Sequence, residues 1–242
     1  MKKIKLFCFP HAGGSSVIFQ KWESYLPANI ELCPVELASR GRRISEPLYQ
    51  SMTEAVGDLF RIIKPQIQTE PYAFFGHSMG AVIAFELARR IRKEKIPAPL
   101  HLFFSGKEAP HTRRPDEKMF HRFPEEKFKE EVIKLGGATP EIINNPKLLD
   151  LLMPVLKNDF IITETYDHRQ PIEPFAIDFT LFIGREDDLT TEEVTGWLEH
   201  TKGVCTIHYF PGDHFFIHKQ SARVVELINR QLSPGAKKIA VY

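Results

Sequence analysis

The stretch Tyr72-Ala73-Phe74-Phe75-Gly76-His77-Ser78-Met79-Gly80-Ala81 decides the fold. An uninterrupted apolar run is what a strand buried on both faces requires, so "YAFF" predicts a strand of a parallel sheet. From Ala81 the spacing becomes helical: Ala81, Ala84, Phe85, Ala88 and Ile91 share a face, and Pro97 ends the pattern. Strand, glycine-bracketed turn and helix together make Gly76-His77-Ser78-Met79-Gly80 a candidate nucleophile elbow. The bare five-residue pattern arises by chance in roughly one chain in ten of this length, so the flanking elements carry the reading. Such a turn holds its serine in a strained backbone conformation, and the two glycines let strand and helix approach. The hydroxyl then projects at a helix N-terminus, where backbone N–H groups favour negative charge.

Outward from this turn, short apolar runs alternate with helical patterns, which predicts a largely parallel sheet with crossover helices. The strand candidates are Ile4–Phe9, Ile30–Leu37, Tyr72–Phe75, Leu100–Ser105, Phe179–Ile183 and Cys205–Phe210. Helices are expected at Thr53–Ile67 and Ala81–Lys95. From Lys107 to about Phe175 no strand candidate occurs. A structureless loop of that length is foreign to a compact domain. Helical patterns at Pro124–Leu135 and Pro146–Phe160, broken by "GGATP" at Gly136–Pro140, make residues 107–175 a helical lid insertion within a single domain spanning 1–242. The fold class expected is the α/β-hydrolase fold. The tail "SPGAKKIAVY" loses helical character and is expected to be poorly ordered.

A serine hydroxyl needs a base within hydrogen-bond reach, and in this fold the chain order is serine, acid, histidine. His208 lies inside the last strand candidate, whereas His214 follows it in the loop "PGDHFF", on the edge where the serine stands. His214 is therefore the candidate base. Glu186, Asp187 and Asp188 follow the strand "FTLFI", and a carboxylate there can fix the imidazole tautomer. Asp187 is preferred to Asp188. The oxyanion hole requires the N–H of Met79 and a second donor from the glycine loop "FCFPHAGGSS", for which Ala12 is chosen and His11 comes next.

Composition narrows the alternatives. The chain has 242 residues, 43% hydrophobic and 26% charged, with a formal net charge of +1. That balance speaks against nucleic acid as a partner. The three cysteines lack a CxxC pair, which suits free thiols in a cytoplasmic protein better than a disulfide or zinc framework. Met1-Lys2-Lys3 precedes an apolar run too short for a signal peptide, and no run approaches a membrane span, so no membrane association is expected. No metal or organic cofactor is called for, and a monomer is expected.

Five motifs in order, "FCFPHAGGSS", "FFGHSMGA", "GGATPE", "LMPVLKNDF" and "YFPGDHFF", give the chain a resemblance that covers Leu6 to about Leu232. It resembles the type II thioesterases, stand-alone enzymes that accompany non-ribosomal peptide and polyketide synthetases. The resemblance implies that Ser78, Asp187 and His214 form a triad, with Met79 and Ala12 lining the oxyanion hole. It implies hydrolysis of acyl groups from the phosphopantetheine arm of an acyl or peptidyl carrier protein, clearing misprimed or stalled carriers. Two departures stand out: Ala38-Ser39-Arg40-Gly41-Arg42-Arg43 replaces a Pro-Gly-Arg turn, and Lys157-Asn158 replaces Arg-Ala. An esterase acting on small free esters would use the same triad, and only the full motif set favours thioesters. A catalytically inactive binding module would be expected to have lost a triad residue. Three basic clusters, Arg40/Arg42/Arg43, Arg89/Arg90/Arg92/Lys93/Lys95 and Arg113/Arg114, could meet an acidic carrier; the second reads rather as the solvated face and C-terminal end of a helix, which leaves the first and third as the candidates.

Overall fold

A computed structural model describes residues 2–112, 118–136, 145–166 and 171–233. Six strands, β1 (Ile4–Phe9), β2 (Ile30–Pro34), β3 (Tyr72–His77), β4 (His101–Ser105), β5 (Asp178–Gly184) and β6 (Cys205–Phe210), form one sheet. Its order is β2-β1-β3-β4-β5-β6, and every pairing is parallel. This is the α/β-hydrolase arrangement expected. The described helices are α1 (Met52–Ile67), α2 (Met79–Lys93), α3 (Glu125–Lys134), α4 (Pro146–Glu164), α5 (Thr191–Thr195), α6 (Phe216–Lys219) and α7 (Ser221–Leu232), with a 3₁₀ helix at Ser16–Tyr25.

The apolar strand runs are explained by burial on both faces. Phe7, Phe9, Phe74, Leu102 and Phe104 point into a core shared with α1 and α2. Their neighbours Leu6, Cys8, Ala73, Phe75 and Phe103 point the other way, against Phe19 and Trp22 of the 3₁₀ helix and Val224 and Ile228 of α7. Side chains alternate across a strand, so two cores demand two apolar sets and the sequence shows no polar phase. Each fully buried phenylalanine or leucine is worth about 1.5–3 kcal/mol.

Strand β2 ends three residues before the expected Leu37. Its partner β1 stops at Phe9, and Cys8 already faces Pro34, so residues beyond have no ladder to join. After Pro34 the chain stays buried from Val35 to Arg40 without pairing as a strand. Helix α2 begins two residues earlier than its spacing suggests, because Met79 is already helical behind Ser78. Helices α3 and α4 fall where periodicity places them, between β4 and β5, and build a small core of their own from Phe128, Val132 and Met153. Most of the "GGATP" break and the tail beyond Ser233 lie outside the described residues. No helix among the described residues is long and apolar enough to cross a membrane.

The strand order creates a switch point. From β1 the chain runs outward to β2, then returns to β3 on the other side of β1, so the loops leaving β1 and β3 diverge and leave a crevice.

Candidate active site

Ser78 leaves β3 at this crevice with φ 54° and ψ −117°, a region costly for a residue bearing a Cβ, on the order of 1–3 kcal/mol. Sheet contacts over-determine it: its N–H donates to the Ser105 carbonyl at 2.8 Å, and its own carbonyl accepts from Ala81. The bracketing glycines are required by packing. A Cβ on Gly76 would sit 2.6 Å from the Ala81 nitrogen, and one on Gly80 2.6 Å from the Phe9 carbonyl carbon. Met79 opens α2, and the first N–H groups of a helix have no intrahelical acceptor, so its amide is available at the crevice.

His214 follows β6 and lies beside Asp187, which follows β5. The imidazole Nδ1 stands 3.0 and 3.1 Å from the two carboxylate oxygens. A carboxylate accepts, so Nδ1 carries the proton and Nε2 is left with a lone pair. The Asp187 side chain is 8% exposed, whereas Asp188 stands on the exposed side of the turn. The turn is closed by Asp187 N–H donating to Gly184 O, and Gly184 has no room for a Cβ beside Asp213. Geometry thus brings Asp187, not Asp188, to His214. His208 sits within β6, as its strand position demands.

Ser78, Met79, Ala12 and His214 line one cavity of about 170 Å³. Most of the rest of its lining is apolar, Phe120, Val132, Leu135, Leu156, Phe160 and Leu189, joined by the polar Lys107, Glu108, Thr163 and Glu164. His11 also lines it. The glycine loop after β1 is a tight turn in which Gly14 N–H donates to His11 O at 2.9 Å, and Gly13 adopts φ +72°.

Several site features had no distinct sequence signal. Imidazoles cluster beside His214: His77 lies 5.1 Å from it by ring centroids, and His11 packs on both His77 and His218. Burial pushes the His11 pKa down to about 4 and that of His77 well below the ordinary value, so both rings stay neutral. His77 is anchored through Nδ1, 2.9 Å from Ser105 Oγ. Its place inside the elbow motif was the one available hint.

The docking clusters are corrected in part. Arg40 is buried and forms a bidentate ion pair with Asp159, and Arg43 is held by Glu46, Asp58 and the Tyr49 hydroxyl. Neither is free to meet a partner; Arg42 is exposed. The pair Arg113/Arg114 lies outside the described residues. In the second cluster, Arg89 pairs with Glu86, Arg92 binds Glu173, and Arg90 shares Glu94 with Lys64, so three of its five cations are held by carboxylates. At Ala38-Ser39 the chain turns with Ser39 at φ 65°, a left-handed conformation that favours glycine, and the Ser39 hydroxyl donates to Glu46 O at 2.7 Å.

Comparison with known proteins adds identity to this geometry. The thioesterase domain family matches residues 4–232. The gramicidin S biosynthesis protein GrsT of Aneurinibacillus migulanus is 37% identical over 232 residues, covering 95% of this chain and 89% of that protein. The crystal structure of ClbQ from the colibactin NRPS/PKS pathway superimposes with TM-score 0.90 at 36% identity, covering 96% of this chain and 97% of that one. YbtT, a type II thioesterase from the yersiniabactin NRPS/PKS pathway, gives TM-score 0.83 at 30% identity, covering 95% and 93%. This chain belongs to the thioesterase domain family and is a hydrolase built on the α/β-hydrolase fold.

Proposed function

We propose that the protein is a stand-alone thioesterase that removes acyl groups from the phosphopantetheine arm of carrier proteins, with Ser78 as nucleophile, His214 as base and Asp187 as its orienting acid. One observation carries the reading. The elbow serine and His214, itself paired with Asp187, line the same cavity, whose lining is largely apolar. The pathway contexts of GrsT, ClbQ and YbtT support the carrier-bound substrate.

Ser78 Oγ attacks the thioester carbonyl carbon while His214 Nε2 takes the hydroxyl proton. The Met79 and Ala12 amides hold the oxyanion. Collapse breaks the C–S bond, and His214 returns the proton to the departing pantetheine sulfur. Water then attacks the acyl-serine, His214 again takes a proton, and Ser78 is restored as the carboxylic acid leaves. Asp187 fixes the tautomer and stabilises the imidazolium in both halves. The cavity receives the acyl tail, and the α3–α4 segment acts as a lid over it.

A cavity of about 170 Å³ is close in size to one of roughly 150 Å³ that binds benzene, so it suits an acyl tail of about six carbons. All site residues come from one chain, so a monomer suffices. Three unpaired cysteines fit a cytoplasmic setting. Hydrolysis rates for a panel of acyl groups, each on a carrier protein and as a free pantetheine thioester, test the proposal. Carrier-bound short and medium acyl groups should be hydrolysed fastest. Ser78→Ala should remove activity by about 10⁶ and leave the fold intact. Equal rates on simple esters and carrier thioesters would favour the esterase reading, and a Ser78→Ala enzyme within about tenfold of wild type would overturn the mechanism.

A further inference from the structure

Asp159 is fully buried on α4, and nothing in the proposed chemistry uses it. Its Oδ2 accepts from Gly13 N–H at 2.8 Å and from Arg40 Nη1 at 2.6 Å, and Oδ1 accepts from Arg40 Nη2 at 2.8 Å. Arg40 also donates to the carbonyls of Gly14 at 3.1 Å and Ala38 at 3.2 Å. We propose that Asp159 and Arg40 are positioning residues that aim the Ala12 amide into the oxyanion hole and tie that hole to the cavity wall.

A trans peptide points its N–H and C=O in opposite directions, so fixing one group fixes the other. In the His11–Ala12 peptide the carbonyl is held by Gly14 N–H. Its N–H, the proposed oxyanion donor, is therefore directed the opposite way. That geometry lasts only while the next peptide keeps its orientation. The Ala12–Gly13 unit is gripped at both ends: His11 Nδ1 donates to its carbonyl at 2.9 Å, and Asp159 accepts its N–H. The peptide after Gly14 is held by Arg40. Gly14 N–H belongs to the Gly13–Gly14 peptide, so four successive planes are pinned, and the Asp159 carboxylate holds the second from outside the loop.

Charge explains why two residues are needed. A lone buried carboxylate beside the hole would oppose the negative charge that develops there. The bidentate guanidinium neutralises it and leaves the acceptor geometry intact. Because Asp159 rides on α4, and Leu156 one turn earlier packs against Gly13, this helix cannot move off the loop without releasing the donor. The hole is thereby complete only while the cavity wall is seated.

The inference rests on the proposed site, and the test separates the two. In the double variant Arg40→Met/Asp159→Leu an apolar pair replaces the ion pair, a change that commonly preserves folding. The expected result is a folded enzyme with KM nearly unchanged and kcat lower by about 10²-fold. Affinity for an acyl trifluoromethyl ketone, which forms an oxyanion on the serine, should fall by the same factor. A merely structural role would lower thermal stability without this paired loss. If the double variant does not fold, the single variant Asp159→Ala, which removes the acceptor for Gly13 N–H, carries the same two readouts. Wild-type kcat and ketone affinity in whichever variant folds would overturn the proposal. A failed site reading would show itself differently, as activity surviving Ser78→Ala.

Discussion

Replacing Gly80 by alanine should disable the enzyme more than it destabilises it. An added methyl would press on the Phe9 carbonyl, 2.6 Å from its carbon and 2.8 Å from Pro10 O. Comfortable contact needs about 3.5 Å, so α2 must retreat from the end of β1 by about 1 Å. Gly80 follows Met79, so the retreat widens the gap between the Met79 and Ala12 amides. Overpacking costs about 1–3 kcal/mol, and alanine's better helix propensity returns up to about 1 kcal/mol. The net loss of up to about 3 kcal/mol lowers Tm by at most about 12 °C in a chain of this size. A misplacement of about 1 Å at reacting groups is expected to lower kcat by about 10²-fold. Steady-state hydrolysis of an acyl-pantetheine thioester at 25 °C, beside a thermal melt, reads both quantities. Gly57→Ala in α1 is the control, since its methyl would meet only the end of the Arg90 side chain at 3.3 Å. That variant should gain about 0.5–1 kcal/mol of stability and keep its activity. If Gly80→Ala kept kcat within about threefold of wild type, the close approach of α2 to β1 would not be what sets the hole.

The acid assignment predicts that Asp187→Asn lowers kcat by about 10⁴-fold and Asp188→Asn by less than about tenfold, measured on the same substrate; reversed effects would make Asp188 the acid. Acid stability follows from His11, whose pKa burial holds at about 4 in the native state against 6.5 when unfolded. The unfolded chain takes up this proton below pH 6.5 and the native chain does not, so stability falls from pH 6.5 to about 4 and levels off below. The limiting loss from His11 is about 3 kcal/mol, and buried His77 adds in the same direction. Urea unfolding across this range should show a shallower decline in His11→Gln than in wild type, and parallel curves would refute the assignment.

Much of the molecule is determined locally and is therefore legible in the sequence. Strand runs such as "YAFF" and "FTLFI" are apolar because both faces of a covered parallel sheet are buried, and that requirement acts residue by residue. The elbow is equally local, since its glycines answer to clashes within a few residues and across one neighbouring strand. His214 and Asp187 were readable because each follows a strand at the same sheet edge, so their meeting depends on topology more than on side-chain detail. Tertiary structure alone decided the rest. Arg40 reads as a surface charge beside Arg42 and Arg43, yet it is buried against Asp159, 119 residues away. Asp159 reads as one polar residue in an amphipathic helix. Nothing in either local pattern specifies the partner, because an ion pair across that separation exists only once the sheet has brought the β1 and β2 loops under α4. The end of β2 at Pro34 was settled in the same way, by where its partner strand stops and not by its own apolar residues.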